Sequence, residues 1–138
     1  MKLLIHTSKV KVDVLKPSKV DSDDPCICFS EDCFIPEFGQ YIYIFEKEVL
    51  CRGFSVRPVP HPGRLRAMGS FPMTSRFCPR VDYEFESFPL EYEYRIYRPI
   101  DVNRLSIGVI TTFPHSLRLI EKIQDEIIKE EIIRFGKE

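Results

Sequence analysis

The sequence lacks tryptophan, lacks an apolar run long enough to cross a bilayer and lacks an excess of charge of one sign. A membrane-spanning helix needs about 18 or more apolar residues in a row, and residues 1–5 are too few for the apolar core of a secretory signal. The 20 Lys and Arg against 21 Asp and Glu give a net charge of −1, which indicates no particular partner. With 138 residues, 43% of them apolar, we expect one domain over residues 1–138, a cytoplasmic location and no membrane partner.

Common signatures of nucleotide-binding and hydrolytic enzymes are missing as well. The chain has no G-x-x-x-x-G-K-[ST] loop, no G-x-G-x-x-G turn, no H-E-x-x-H pair and no G-x-S-x-G elbow. Any catalytic site in this protein therefore has to be built from residues outside these motifs.

The cysteines are odd in number and are not spaced like a structural zinc site. They are Cys26, Cys28, Cys33, Cys51 and Cys78. Reduced cysteines commonly serve as small core residues, which is the first interpretation. A metal site formed by Cys26, Cys28 and Cys33 is the alternative, but their C-x-C-x4-C spacing lacks the paired C-x2-C knuckles of such sites. We predict no metal.

The apolar pattern predicts an α+β fold, and the eleven prolines with six glycines argue against a helical bundle. Alternation of apolar and polar residues, or short apolar runs bounded by turn residues, predicts strands at residues 3–6, 26–30, 41–45, 81–88, 90–97 and 105–110. The period then changes, because Leu117, Ile120, Ile123 and Ile127 recur at three- and four-residue steps. A C-terminal amphipathic helix is therefore expected over residues 114–135.

Residues 49–80 combine arginine and proline without a single acidic residue. Five prolines at this density predict a long loop rather than a helix or a central strand. The arginine guanidinium matches phosphate and carboxylate geometry, so the segment predicts a polyanion-binding loop, with nucleic acid as one candidate partner. The alternative is that the acidic residues within 82–93 neutralise the arginine charges. The arginines are Arg52, Arg57, Arg64, Arg66, Arg76 and Arg80.

Three short polar motifs occur at strand ends in a fixed order. His6 and Thr7 end the first strand, Ser30 closes the second, and Glu91 and Glu93 lie two residues apart on a late strand. Because alternate residues of a strand point the same way, the two carboxylates share a face. The two glutamates are equally compatible with the solvent face of an alternating strand.

In this ordered set the sequence resembles the ADP-ribosyltransferase-like superfamily. The resemblance is carried by "LLIHTSKVKVDVLKPS", "ICFSED" and "EYEYRIYRPIDVNRL", with a strand and a helix following. It implies split mixed or antiparallel sheets with a C-terminal amphipathic helix. It also implies mono-ADP-ribosyltransferase activity with NAD as co-substrate and a protein or nucleic acid as an acceptor that stays open.

The resemblance assigns a role to each candidate residue. Glu93 would stabilise the oxocarbenium-like ribose that forms when the nicotinamide bond of NAD breaks, as a carboxylate does in glycoside cleavage. Glu91 would face the acceptor nucleophile. The remaining residues would bind NAD. His6, beside Thr7, would contact a ribose hydroxyl, Ser30 would support Glu93, and Tyr41 or Tyr43 would cover the nicotinamide. Sheet packing is the alternative for the two tyrosines. A non-catalytic polyanion-binding module is the alternative for the whole protein.

Overall fold

The computed structural model describes residues 2–19, 24–72 and 91–111. The strands are β1 (Leu3–Ser8), β2 (Val14–Leu15), β3 (Ile27–Glu31), β4 (Cys33–Phe34), β5 (Tyr41–Glu46), β6 (Arg57–Pro60), β7 (Phe71–Pro72), β8 (Tyr92–Ile96), β9 (Ile100–Asp101) and β10 (Gly108–Thr111). The helices are α1 (Lys47–Gly53), α2 (Arg64–Ala67) and α3 (Val102–Leu105), and a 3-10 turn spans Pro36–Phe38. The predicted α+β class is confirmed by this mainly antiparallel sheet with few helices. No helix in the described ranges is long and apolar enough to span a membrane.

Six strands form one antiparallel sheet in the order β10-β5-β1-β3-β8-β6. Two small sheets, β2-β9 and β4-β7, lie beside it. The four strands β1, β3, β5 and β8 occupy its centre. They correspond to the predicted strands at 3–6, 26–30, 41–45 and 90–97, so short apolar runs and, for the last, alternation were sufficient to find them.

The sheet forks between β1 and β3. These strands pair only at Leu4 with Glu31 and at Ile5 with Ser30. Past Ile5, β1 continues to pair with β5 as far as Ser8, whereas β3 pairs with β8 from Phe29 back to Ile27. The two strands therefore separate after two residue pairs, and the polar C-terminal end of β1, which begins at His6, faces the N-terminal part of β3 around Cys28 across the fork.

Apolar side chains bury both faces of the central strands. On one face Leu3 and Ile5 pack with Phe34 of β4, and on the other Leu4 packs with Phe29 and Phe45. Each fully buried side chain of this size contributes roughly 1.5–3 kcal/mol through removal of apolar surface from water. The two clusters fix the central strands firmly, so the polar groups at their ends are presented by a rigid framework.

The predicted loop at residues 49–80 is wrong for the part that the structure describes. It contains most of α1 and all of β6, α2 and β7. Pro58 and Pro60 fit into β6 because, among the strands that the structure describes, this one is outermost and needs hydrogen-bond donors on one side only. Proline density indicated the absence of a central strand correctly, but it did not exclude an edge strand.

Other boundaries differ from the sequence prediction near the C-terminal end of the described chain. The strand expected at 105–110 begins only at Gly108, because residues 102–105 form α3. The Asp101 side chain caps this helix by accepting a hydrogen bond from the Arg104 amide at 3.1 Å. The predicted strand at 81–88 and the predicted helix at 114–135 lie outside the described residues.

Candidate functional site

A cavity of about 740 Å³ lies at the fork between β1 and β3. Its size is within the range of small-molecule sites. One part of its wall is apolar and includes Val10, Val12, Val14 and Phe38. The polar part is formed by His6, Ser8, Lys16, Arg64 and Glu93. Residues from the first strand, a middle segment and the late strand therefore meet in one cavity.

Glu93 is held in this wall by two guanidinium groups. Arg95 donates to its Oε2 from both Nε, at 2.8 Å, and Nη2, at 2.7 Å. Nη2 of Arg64 lies 2.9 Å from the other oxygen, Oε1. Both Glu93 and Arg95 are buried, at 4% and 8% exposure. Their side chains meet because residues two apart on a strand share a face.

His61 completes the surroundings of Glu93 without forming an ion pair. Its Nε2 lies 3.7 Å from Oε2 of Glu93 and has no hydrogen-bond partner among the described residues. Burial, together with the positive charge of Arg64, lowers the pKa of His61, although Glu93 opposes this shift. A neutral imidazole therefore stands beside the carboxylate.

Glu91 holds the segment that carries Arg64 and lines neither of the cavities described here. Its carboxylate accepts a hydrogen bond from the Leu65 amide at 2.7 Å. Its backbone carbonyl accepts another from the His61 amide at 2.6 Å. The two glutamates thus have different surroundings, and a role for Glu91 toward an acceptor stays a prediction.

His6 presents a neutral ring to the cavity. Its Nδ1 lies 2.7 Å from the Cys28 carbonyl oxygen. A carbonyl only accepts, so Nδ1 carries the proton. Burial lowers the pKa of His6 more than the Cys28 carbonyl raises it. The ring packs between Phe29 and Tyr43 at centroid distances of 5.8 Å. Because the neutral ring carries its proton on Nδ1, Nε2 is an unprotonated acceptor.

Ser30 and Thr7 line a smaller cavity of about 30 Å³ that shares Arg64 and Glu93 with the larger one. Ser30 follows the Phe29–Tyr94 pair along β3, which brings it opposite Glu93. Its hydroxyl donates to the Cys33 carbonyl at 2.6 Å. The structure therefore brings Ser30 and Thr7 to the same region, and an orienting effect of Ser30 on Glu93 stays a prediction.

The exposed tyrosine ring expected over a nicotinamide is not found at Tyr43. Tyr43 is fully buried because it lies at the centre of β5 between the strands β1 and β10. Its hydroxyl donates to the Val10 carbonyl at 2.7 Å and accepts from the Val12 amide at 2.9 Å. Tyr43 thus anchors the apolar wall of the cavity. Tyr41 is half-buried and packs against the core.

Phe38 is the aromatic ring that the cavity does expose. It is 41% exposed and lines both cavities beside Glu93. The next residue, Gly39, has a φ of 141°, and a Cβ there would lie 2.2 Å from the Ser8 carbonyl. Only glycine permits this approach, which brings Phe38 to the end of β1.

The six predicted polyanion-binding arginines have diverse surroundings. Arg64 lies in the cavity, whereas Arg52 pairs with Glu48 on α1. Arg57 is exposed on the edge strand, and Arg66 is exposed on α2. Arg76 and Arg80 lie outside the described residues. A polyanion-binding role for the segment stays a prediction.

Two cysteine thiols also line the cavity. The sulfur atoms of Cys26 and Cys28 are 3.6 Å apart. Burial, then the negative charge of Glu93, raises the pKa of Cys28, so this thiol is protonated at neutral pH. Within the described ranges, no group of three or more His, Cys, Asp and Glu side chains is arranged to hold a metal ion.

The sequence reasoning missed the groups that surround the carboxylate. Arg95, His61 and Phe38 were not singled out, and Arg64 was assigned only to a polyanion-binding loop. A signal for Arg95 was available, because the E-x-R spacing on a strand puts both charges on one face.

Comparisons with known protein families, curated proteins and solved structures found no match.

Proposed function

We propose that this protein is an NAD-dependent mono-ADP-ribosyltransferase. The observation that carries the proposal is that His6 and Glu93, distant in sequence, line one cavity at the fork of the sheet. A sheet that divides at this point also supports the split-sheet architecture implied by the motifs. The mixed wall, apolar on one side and polar on the other, suits a ligand with flat rings and many hydroxyl groups.

In the proposed reaction the bond between the ribose carbon and the nicotinamide nitrogen of NAD breaks. The electron pair leaves with nicotinamide, and positive charge develops on the ribose. Glu93 stabilises this charge, because Arg95 holds its carboxylate in place before the substrate arrives. The acceptor nucleophile then bonds to the ribose carbon and loses its proton.

His6 and Phe38 serve to position the substrate. Nε2 of His6 accepts a hydrogen bond from a ribose hydroxyl, as the neutral ring with a protonated Nδ1 permits. Phe38 takes the role that sequence reasoning gave to Tyr41 or Tyr43, since its exposed ring lines the cavity next to Glu93. The positioned sugar then lies against the carboxylate that stabilises its transition state.

Release of labelled nicotinamide from NAD tests this function. The Glu93→Gln variant should lower kcat about 100- to 1,000-fold, because a group that stabilises transition-state charge is lost. Glu48→Gln is the matched control, since Glu48 is an exposed carboxylate on α1 that pairs only with Arg52 among the contacts described here.

Circular dichroism on each variant separates loss of chemistry from loss of fold. Wild-type turnover by a folded Glu93→Gln variant would reject the assigned mechanism. Absence of both NAD binding and NAD cleavage by the wild-type protein would reject the function.

A further inference from the structure

Arg64 occupies the carboxylate oxygen that the proposed reaction needs. Both donors of Arg95 bind Oε2 of Glu93, and Arg64 binds Oε1 at 2.9 Å. Each oxygen is therefore already engaged by a positive charge. Arg95 fills both acceptor positions of Oε2, and Arg64 takes one of the two acceptor positions of Oε1. A ribose hydroxyl that approaches Oε1 from the cavity therefore meets the Arg64 guanidinium, which lines the same cavity.

The two guanidinium groups are not equivalent. The Arg95 side chain is 9% exposed, lies on the same strand as Glu93, and lines neither described cavity. The Arg64 side chain is 22% exposed and lines both. The cavity-facing partner of Glu93 is therefore Arg64, whereas Arg95 supports the carboxylate from within the protein.

Arg64 belongs to a short element that is set off from the sheet. Its helix, α2, has four residues and lies between Gly63 and Gly69, whose φ angles are 68° and 66°. The hydrogen bond from the Leu65 amide to Glu91 ties this helix to β8. Reorientation of the Arg64 side chain requires no break in that bond, since it involves the next residue.

We propose that Arg64 is an anion-responsive cap on Glu93. A phosphate group of the bound dinucleotide binds the Arg64 guanidinium, which matches phosphate geometry well. Arg64 then releases Oε1 of Glu93, and this oxygen becomes available to the ribose. Lys16, also in the cavity wall, adds positive charge for the same phosphates. The inference rests on the proposed function for the role of Glu93, and it makes recognition of phosphate the event that uncovers the carboxylate.

Inorganic pyrophosphate is the probe, because it carries the anionic group without the ribose or the rings. Isothermal titration calorimetry on wild type, Arg64→Gln and Arg104→Gln measures its affinity. The loss of a charged hydrogen-bonding partner should weaken binding about 10- to 100-fold in Arg64→Gln. Arg104→Gln, an exposed arginine on α3, should bind as wild type does. Equal affinities of the two variants would overturn the proposal.

A double-mutant cycle separates capping from general electrostatics. If Glu93 competes with pyrophosphate for Arg64, Glu93→Gln should tighten binding by about threefold or more in the wild-type background. It should have no effect in the Arg64→Gln background. Tightening of the same size in both backgrounds would mean that Glu93 acts only through its charge, and the cap would be rejected.

The 13C signal of the Glu93 carboxyl group provides a measurement that requires no change at Glu93. Pyrophosphate should shift this signal in wild type and leave it in place in Arg64→Gln. Binding of pyrophosphate to wild type without such a shift would contradict the cap. Because none of these measurements uses NAD or turnover, a protein that behaves as described but never cleaves NAD would retain the anion-responsive cap and lose only the transferase function.

Discussion

Substitution of Arg95 by methionine breaks the buried ion pair with Glu93 while keeping much of the side-chain volume. The change removes two of the three close nitrogen–oxygen contacts of the carboxylate, those at 2.8 Å and 2.7 Å. The contact with Arg64 at 2.9 Å remains. Among the described residues, Glu93 then has one guanidinium partner in place of two.

Breaking a buried pair from one side typically costs about 3–5 kcal/mol, because the remaining charge loses its compensation. The surviving Arg64 contact and the adjoining cavity favour the lower end, so we expect a loss of about 3 kcal/mol. That is a large part of the roughly 5–15 kcal/mol that stabilises a typical domain. It corresponds to a fall in Tm on the order of 10 °C for a chain of this size.

Urea unfolding followed by far-ultraviolet circular dichroism measures this cost, since the chain has no tryptophan to report fluorescence. The matched control is the double variant Glu93→Leu/Arg95→Met, which removes both charges of the buried pair; Arg64 loses Glu93 as well, but its side chain is 22% exposed and can reach solvent. It should be more stable than Arg95→Met alone, because apolar replacement of both partners avoids the desolvation penalty. A single variant within about 1 kcal/mol of wild type, or a double variant less stable than the single one, would refute the reasoning.

Two further predictions concern His6, which lines the cavity, and Tyr43, which anchors its apolar wall. Stability should fall as the pH drops from about 7.5 to about 5.5, because the folded protein lowers the pKa of His6 and the unfolded chain then binds a proton that the folded one does not. Thermal unfolding across this range should show a smaller fall for His6→Asn, and an unchanged pH dependence in that variant would contradict the assignment. Tyr43→Phe removes the bonds to the Val10 carbonyl and the Val12 amide and should cost about 1–2 kcal/mol. In the NAD assay the same variant should raise KM with little change in kcat, whereas a fall in kcat alone would place Tyr43 in the chemistry.

The central strands show what local pattern can predict. Alternating or short apolar segments identified β1, β3, β5 and β8, because the side-chain direction of a strand reverses at every residue regardless of its neighbours. The arginine and proline segment shows the opposite case. Pro58 and Pro60 are acceptable only because β6 lies at an edge, and edge position depends on which strands pair.

The tyrosines and Glu93 show the same difference at the site between what the local sequence predicts and what the tertiary structure decides. The resemblance suggested Tyr41 or Tyr43 as the ring over the nicotinamide, but Tyr43 is buried in the core, and Phe38 faces the cavity. Glu93 was singled out from sequence, whereas its partner Arg64 lies 29 residues earlier in the chain, a distance that no local pattern spans.

The sequence by itself therefore determined the four central strands and the polar residues that they carry, since short apolar runs and alternation are properties of neighbouring residues. Only the tertiary structure decided that β1 and β3 separate after two residue pairs, and that His6, Arg64 and Glu93 meet in the resulting fork. The physical reason is that strand pairing and the burial of charge are collective. Both depend on the packing of the whole sheet, so neither can be predicted from a single segment.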